Sequence, residues 1–256
     1  VNGESHFHLD TDSGWLSGDT VGIASTSQTY SQCETKVLNG NAGAEIINVT
    51  VAFGATVHSG TSPTQAEVIL LTRNVKIRSS SANIMTYIYA RATASVNMDW
   101  VECYYMDYIN TNTTTATFNV QYCSFYSCED GGFVSLAVYD LGVFSNNVLY
   151  NCCTTTANGV INLTATSGTN TFNNNIIMLA AATSNYGIYM ADVGGTITNN
   201  TVCGINGDGF YFYESNATLG TFSGNTAHSN YAAGIYLNAI VSSGATLSNI
   251  TIWRCN

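Results

Sequence analysis

The stretch Gly187-Ile-Tyr-Met190, Ile197-Thr-Asn-Asn200-Thr201, Gly209-Phe-Tyr-Phe212, Phe222-Ser-Gly-Asn225-Thr226, Gly234-Ile-Tyr-Leu237, Leu247-Ser-Asn249-Ile250 contains two phrases in strict alternation. One phrase is an apolar residue, two small or Asn positions, an Asn and then alternating apolar residues. Working back toward the N-terminus, it recurs as Phe172-Asn-Asn-Asn175-Ile176 and Phe144-Ser-Asn-Asn147-Val148, with looser forms beginning at Val96 and Phe118. The other phrase recurs as Gly159-Val-Ile and Gly132-Phe-Val. Asn147, Asn175, Asn200, Asn225 and Asn249 lie 28, 25, 25 and 24 residues apart.

Two phrases that share one period mean at least two strands per repeat. The stretches between them lack the 3.6-residue periodicity of a helix. Short strands recurring every ~25 residues without helices predict a solenoid of stacked coils. A single coil cannot bury its apolar face, but a stack makes a continuous core. The predicted class is all-β: a right-handed single-stranded parallel β-helix with coils of about 22–28 residues. Alternation along a strand then makes Phe133, Val160, Ile188, Phe210 and Ile235 one interior column. Asn147, Asn175, Asn200, Asn225 and Asn249 become a ladder at a bend, each amide bonded to the next coil. Residues 96–256 carry these repeats. Residues 1–95 are less repetitive and read as β structure opening the same solenoid.

Composition agrees. Of the chain, 45% is apolar but only 9% charged, against a usual ~25%. Val, Ile, Thr, Tyr and Phe favour a pleated backbone. A net charge of −10, with 6 Lys and Arg in total, leaves no basic patch for nucleic acid. No apolar run approaches the ~20 residues of a membrane span. The start at Val1, without Met or an apolar leader, reads as a mature or truncated product. The 8 cysteines are compatible with an oxidising compartment or with burial as small hydrophobes. Cys128 and either Cys152 or Cys153 fall at similar points of adjacent coils, which permits a bridge. Sequons stand at Asn48, Asn112, Asn162, Asn199, Asn216 and Asn249, about as many as this composition produces by chance. Asn249 would escape glycosylation if it lies in the interior ladder.

Trp15-Leu-Ser-Gly18-Asp19-Thr-Val-Gly-Ile23, Glu34-Thr35 and Glu67-Val-Ile-Leu-Leu-Thr72-Arg73-Asn74-Val75-Lys-Ile77 resemble the second half of the domain named for its eight glycines. That domain occurs in the fibrocystin, fibrocystin-like and cell-surface hyaluronidase group, followed by parallel β-helix repeats. Asp99-Trp-Val-Glu-Cys103 and Asn146-Asn-Val-Leu-Tyr-Asn151 match the stretch that follows. The resemblance implies a large extracellular or cell-surface protein with a β-helix body. The hyaluronan-cleaving relatives carry a His-rich segment where this chain has Asn110-Thr-Asn-Thr-Thr-Thr-Ala-Thr117, so their activity is not carried over.

Chemistry is sparse. The acidic residues Asp99, Glu102, Asp107, Glu129 and Asp130 are dispersed, and beyond residue 92 the only Lys or Arg is Arg254. Neither paired carboxylates nor a base for elimination is evident, and no cofactor is expected. His6, His8, Asp10 and Asp12 alternate and would share one strand face, a weak candidate metal set. Tyr189, Tyr211 and Tyr236 occupy equivalent outward positions in successive coils, an aromatic stripe suited to sugars or a protein partner. The sequence leads to an extracellular structural protein, with self-association or neighbouring segments as partners. Uncapped coil ends would stack head to tail into a filament. A glycan-binding module is the alternative, and a polysaccharide hydrolase or lyase the remote one.

Overall fold

The computed structural model describes all residues except 1–3, 10–12, 28, 41–45, 55–57, 61–63, 81–85, 91–93, 112–116, 129–133, 138–141, 154–158, 167–170, 194, 214–218 and 239–245. Nearly every element is a strand. From Val75 onward the strands pair in parallel with the coil before and the coil after, building a parallel β-helix. One face is a 7-stranded sheet running from Ser95–Asp99 to Thr246–Ser248. The second face runs from Val75–Arg78 to Thr251–Trp253. The third runs from Thr86–Ala90 to Ile235–Leu237. Ile176–Val193 and Thr201–Tyr213 each continue round a corner, so the second and third faces share one sheet.

The corners explain the Asn-rich phrase. Between the first and second faces the chain turns through a left-handed residue at Trp100, Tyr122, Asn146, Asn174, Asn199, Gly224 and Asn249. Asn and Gly suit that conformation, whereas a bulky residue there is unusual. The residue after this corner points inward. Asn147, Asn175, Asn200 and Asn225 are each fully buried. Asn249 departs from expectation: it is exposed and left-handed, and Ile250 follows it where the other coils place their buried Asn. Thr226 pairs with Thr251 and Ser223 with Ser248, which sets Asn225 beside Ile250. The phrase keeps its full length: Leu247, Ser248 and Asn249 align with Phe222, Ser223 and Gly224, so Asn249 takes the left-handed corner that Asn suits, and Ile250 replaces the ladder Asn.

Register also moves the early coils. Ile109, Val134, Ile161, Ile188, Phe210 and Ile235 share one column. Val160 therefore stands one residue off the predicted column, and Phe133 lies outside the described residues. The looser Asn phrases align from Met98 and Val120, not from Val96 and Phe118. Phe118, Phe144, Phe172, Phe210 and Phe222 fill the interior with essentially no exposed surface.

The expected division at residues 95 and 96 falls inside the solenoid, whose first parallel strand is Val75–Arg78. Before it lies an antiparallel section. Thr20–Ile23 pairs with Glu34–Val37 and Val68–Leu70, and His6–His8 pairs with Ile46–Asn48. This section has its own core of Phe7, Val21, Ile23, Leu38, Ile47, Val49 and Phe53. It does not extend the stack. It lies against the flank of the second face, where Ala24, Cys33, Ile69 and Leu71 bury Tyr150, Met178 and Cys203. Gly22 permits the close approach, since a Cβ there would stand 2.8 Å from a Tyr150 ring carbon. Arg73 ties the junction: its backbone N–H donates to Glu102 at 3.1 Å and its Nε to the Tyr122 carbonyl at 2.9 Å.

Candidate functional site

Tyr189, Tyr211 and Tyr236 sit side by side on adjacent strands of the third face. Their register follows from the Gly-Ile-Tyr phrase: the residue before each Tyr points into the core and the Tyr points out. Ring centroids are 5.6 Å apart from Tyr189 to Tyr211, with planes at 10°, and 5.2 Å from Tyr211 to Tyr236, with planes at 3°. That is offset stacking of one ring on the next. The stripe is therefore a ridge of ring edges and hydroxyls, not a flat tiled surface.

The structure adds residues that the repeat did not single out. Tyr186 leans over Tyr211 at 4.1 Å, and Tyr213 flanks Tyr189 at 6.0 Å and Tyr211 at 6.4 Å. Tyr213 shares the face of Tyr211 by two-residue alternation, a signal available in Tyr211-Phe-Tyr213. Tyr186 precedes the phrase, and only the strand pairing brings it over the ridge. Asn238 Nδ2 donates to the Tyr211 hydroxyl at 3.0 Å. Asp208 pairs across from Tyr186 and accepts the Ala233 N–H at 2.8 Å. Burial raises the Tyr186 hydroxyl above the usual phenol range, assisted by the Asp208 charge, and burial likewise raises the Asp208 carboxyl. The Tyr211 hydroxyl is raised by burial and then by its tyrosine neighbours. The Tyr186 and Tyr211 hydroxyls thus hold their protons more firmly than free phenols, with the Asp208 carboxyl across from Tyr186. Tyr213 and Tyr236 are the most open members, 37% and 44% exposed.

Residues 186–256 match the family model of the right handed beta helix region. The tyrosine ridge lies on coils within that match, and the chain is a right-handed parallel β-helix. No curated protein matches the sequence.

The other sequence candidates are dispersed over this β-helix. The Asn amides bond along the axis: Asn147 Nδ2 donates to Asn175 Oδ1 at 3.1 Å, Asn175 Nδ2 to Asn200 Oδ1 at 3.0 Å, and Asn200 Nδ2 to Asn225 Oδ1 at 3.0 Å. Cys123 precedes the ladder and gives its N–H to Asn147 Oδ1. Of the sequons, Asn48, Asn199 and Asn249 are exposed and Asn162 is half-buried. Asn162 pairs with Tyr189 and its Oδ1 accepts the Gly159 N–H. Asn112 and Asn216 lie outside the described residues. Cys128 and Cys152 hold neighbouring positions in adjacent coils, yet Cys128, Cys152 and Cys153 are buried and form no disulfide, and the other described cysteines are likewise unbridged and buried, apart from the half-buried Cys255. The Cys128 and Cys152 thiols are hydrogen-bonded, and burial raises Cys152 well above the ordinary thiol range. His6 and His8 share a strand face with rings 5.6 Å apart, while Asp10 and Asp12 lie outside the described residues. His8 borders a cavity of about 330 Å³ that Phe53 and His58 also line. His58 Nε2 meets Glu34 at 3.0 Å, and Glu34 meets Lys36 at 2.7 Å. Asp99 and Glu102 are separated by the Trp100 corner, and Glu102 is 3% exposed between Lys76 and the Tyr126 hydroxyl.

Proposed function

We propose that this β-helix is an extracellular or cell-surface module that binds neutral polysaccharide along the tyrosine ridge. The clustering of Tyr186, Tyr189, Tyr211, Tyr213 and Tyr236 on one side of three successive coils carries the reading. Each ring edge offers a hydroxyl to sugar oxygens. Asp208 supplies a carboxylate acceptor and Asn238 an amide. The ridge runs along the solenoid axis, so an extended chain can follow it from coil to coil. A net charge of −10 disfavours acidic polymers, which selects neutral ones. The likeness of residues 15–77 to the eight-glycine domain supports a place outside the cell, in the setting of fibrocystin-like proteins.

Affinity electrophoresis against neutral and acidic polysaccharides tests the proposal. The wild type should be retarded by a neutral polymer, and Tyr211→Ala with Tyr236→Ala should lose at least tenfold in affinity, about 1.4 kcal/mol. Unchanged retardation of that folded double variant would overturn it.

Self-association is a second reading. Leu237, Leu247 and Ile252 of the last coil are 54%, 38% and 49% exposed, on an edge that no later described strand pairs. Further coils of a longer chain would cover the same edge. Concentration-dependent sedimentation, abolished by Ile252→Lys, would support self-association, and a constant monomer mass would remove it.

A further inference from the structure

We propose that Glu67, Cys203 and His228 bind a zinc ion that clamps the antiparallel N-terminal section to the flank of the β-helix. Their donor atoms lie within 4.8 Å of one another, with Cys203 and His228 buried. They come from remote parts of the chain. Cys203 and His228 are register partners on neighbouring coils. Glu67 stands at the head of the strand Val68–Leu70 and is 161 residues from His228 in sequence.

His228 is held as a metal ligand requires. Its ring stacks on Trp253 at 4.0 Å with planes at 4°, and its Nδ1 lies 3.1 Å from the Ser229 hydroxyl. That partner fixes the ring and leaves Nε2 directed at Glu67 Oε2, 2.8 Å away. Metal-bound histidines are commonly oriented in this way through the other nitrogen. Glu67 is anchored in turn, because its carbonyl accepts the Ala24 N–H at 2.9 Å.

Donor chemistry selects the ion. One thiolate, one imidazole and one carboxylate suit zinc, whereas calcium and magnesium demand shells of oxygen. Zinc bonds of ~2.0–2.3 Å place tetrahedral donors about 3.3–3.6 Å apart. Binding therefore opens the 2.8 Å His228–Glu67 contact by about half an ångström and draws in the thiol, which already lies within 4.8 Å of both. Cys33 belongs to the same buried cluster as Cys203, but its sulfur accepts the Ser25 N–H at 3.3 Å and is not one of the converging donors, so the fourth position falls to water. The Glu67 side chain, 27% exposed against 0% for His228, marks the route by which the ion enters. An imidazole–carboxylate hydrogen bond alone explains Glu67 and His228; the converging thiol is what a metal explains in addition. On binding, the Cys203 thiol loses its proton to solvent and the thiolate sulfur donates a lone pair to zinc, with no change of oxidation state.

The test is titration of the reduced, chelator-treated full chain with Co²⁺ as a spectroscopic stand-in, followed by displacement with Zn²⁺. The wild type should take up one equivalent, show a thiolate-to-cobalt charge-transfer band, and melt about 5–10 °C higher with zinc at a hundredfold excess over Kd. Cys203→Ser and His228→Gln should each weaken binding at least tenfold, and Cys203→Ser should diminish the band. Should the variants fail to fold, X-ray absorption of the zinc-loaded wild type decides. One sulfur with nitrogen and oxygen neighbours supports the site. An all-sulfur or sulfur-free shell, or no stoichiometric uptake, overturns it.

Discussion

Replacing Asn200 with Ala isolates what the amide ladder contributes. Asn200 is fully buried. Its Oδ1 accepts the Asn175 backbone N–H at 3.1 Å and the Asn175 Nδ2 at 3.0 Å. Its Nδ2 donates to the Phe172 carbonyl at 3.1 Å and to Asn225 Oδ1 at 3.0 Å. Some of these groups keep a partner after truncation. Asn175 Nδ2 still reaches the Phe144 carbonyl at 2.9 Å, and Asn225 Oδ1 still accepts the Asn200 N–H at 2.9 Å. The Asn175 backbone N–H loses its amide acceptor, at a cost of about 1–3 kcal/mol for an unpaired buried donor. The three remaining lost bonds add about 0.5–1.5 kcal/mol each, so the whole change should destabilise by about 2.5–7.5 kcal/mol. Urea unfolding followed by both far-ultraviolet circular dichroism and tyrosine fluorescence would measure it, coincident transitions licensing a free energy. Asn199→Gly is the control. Asn199 is exposed and left-handed with φ of 56°, a conformation that glycine adopts freely, so its effect should stay within about 0.5 kcal/mol. A loss below about 1 kcal/mol for Asn200→Ala would refute the reasoning and reduce the ladder to backbone geometry.

Gly209→Ala should destabilise by about 1–3 kcal/mol through steric crowding, because a Cβ would lie 2.6 Å from the Gly234 carbonyl and 2.8 Å from Asn230 Nδ2; an unchanged urea midpoint would contradict it. Stability should also fall in alkali. Burial raises the Cys103 and Cys152 thiols and the Tyr126 and Tyr150 hydroxyls above their ordinary values, so the folded state keeps protons that the unfolded chain releases. Their contribution is complete below about pH 8 and declines from the unfolded thiol and phenol values, about 8.5 and 10, upward through the raised folded ones, by about 1.4 kcal/mol per pH unit per group. A urea midpoint that stays constant from neutral pH to about pH 11 would count against this.

The solenoid was legible because it is a one-dimensional repeat. Each coil sees mainly its neighbours, so a sequence period becomes a spatial column. Asn147 to Asn225 and Tyr189 to Tyr236 could be placed from their spacing for that reason. Register fails where the phrase degenerates: Trp100 and Tyr122 occupy the left-handed corner without the Asn that announces it, and Asn249 mimics a ladder position that Ile250 holds. A one-residue slip exchanges inside for outside, so such errors are never small. The flank was not legible at all. Val68 to Leu71 read as another strand of the stack, but their partners are antiparallel, and what they cover is set by shape: a glycine at position 22 against Tyr150, and a row of outward side chains on the second face. The sequence alone determined a β-helix with an amide ladder and a tyrosine row, since both depend on period. Only the tertiary structure decided that Glu67 meets Cys203 and His228, because no local pattern links residues that meet when one sheet packs across the side of a solenoid.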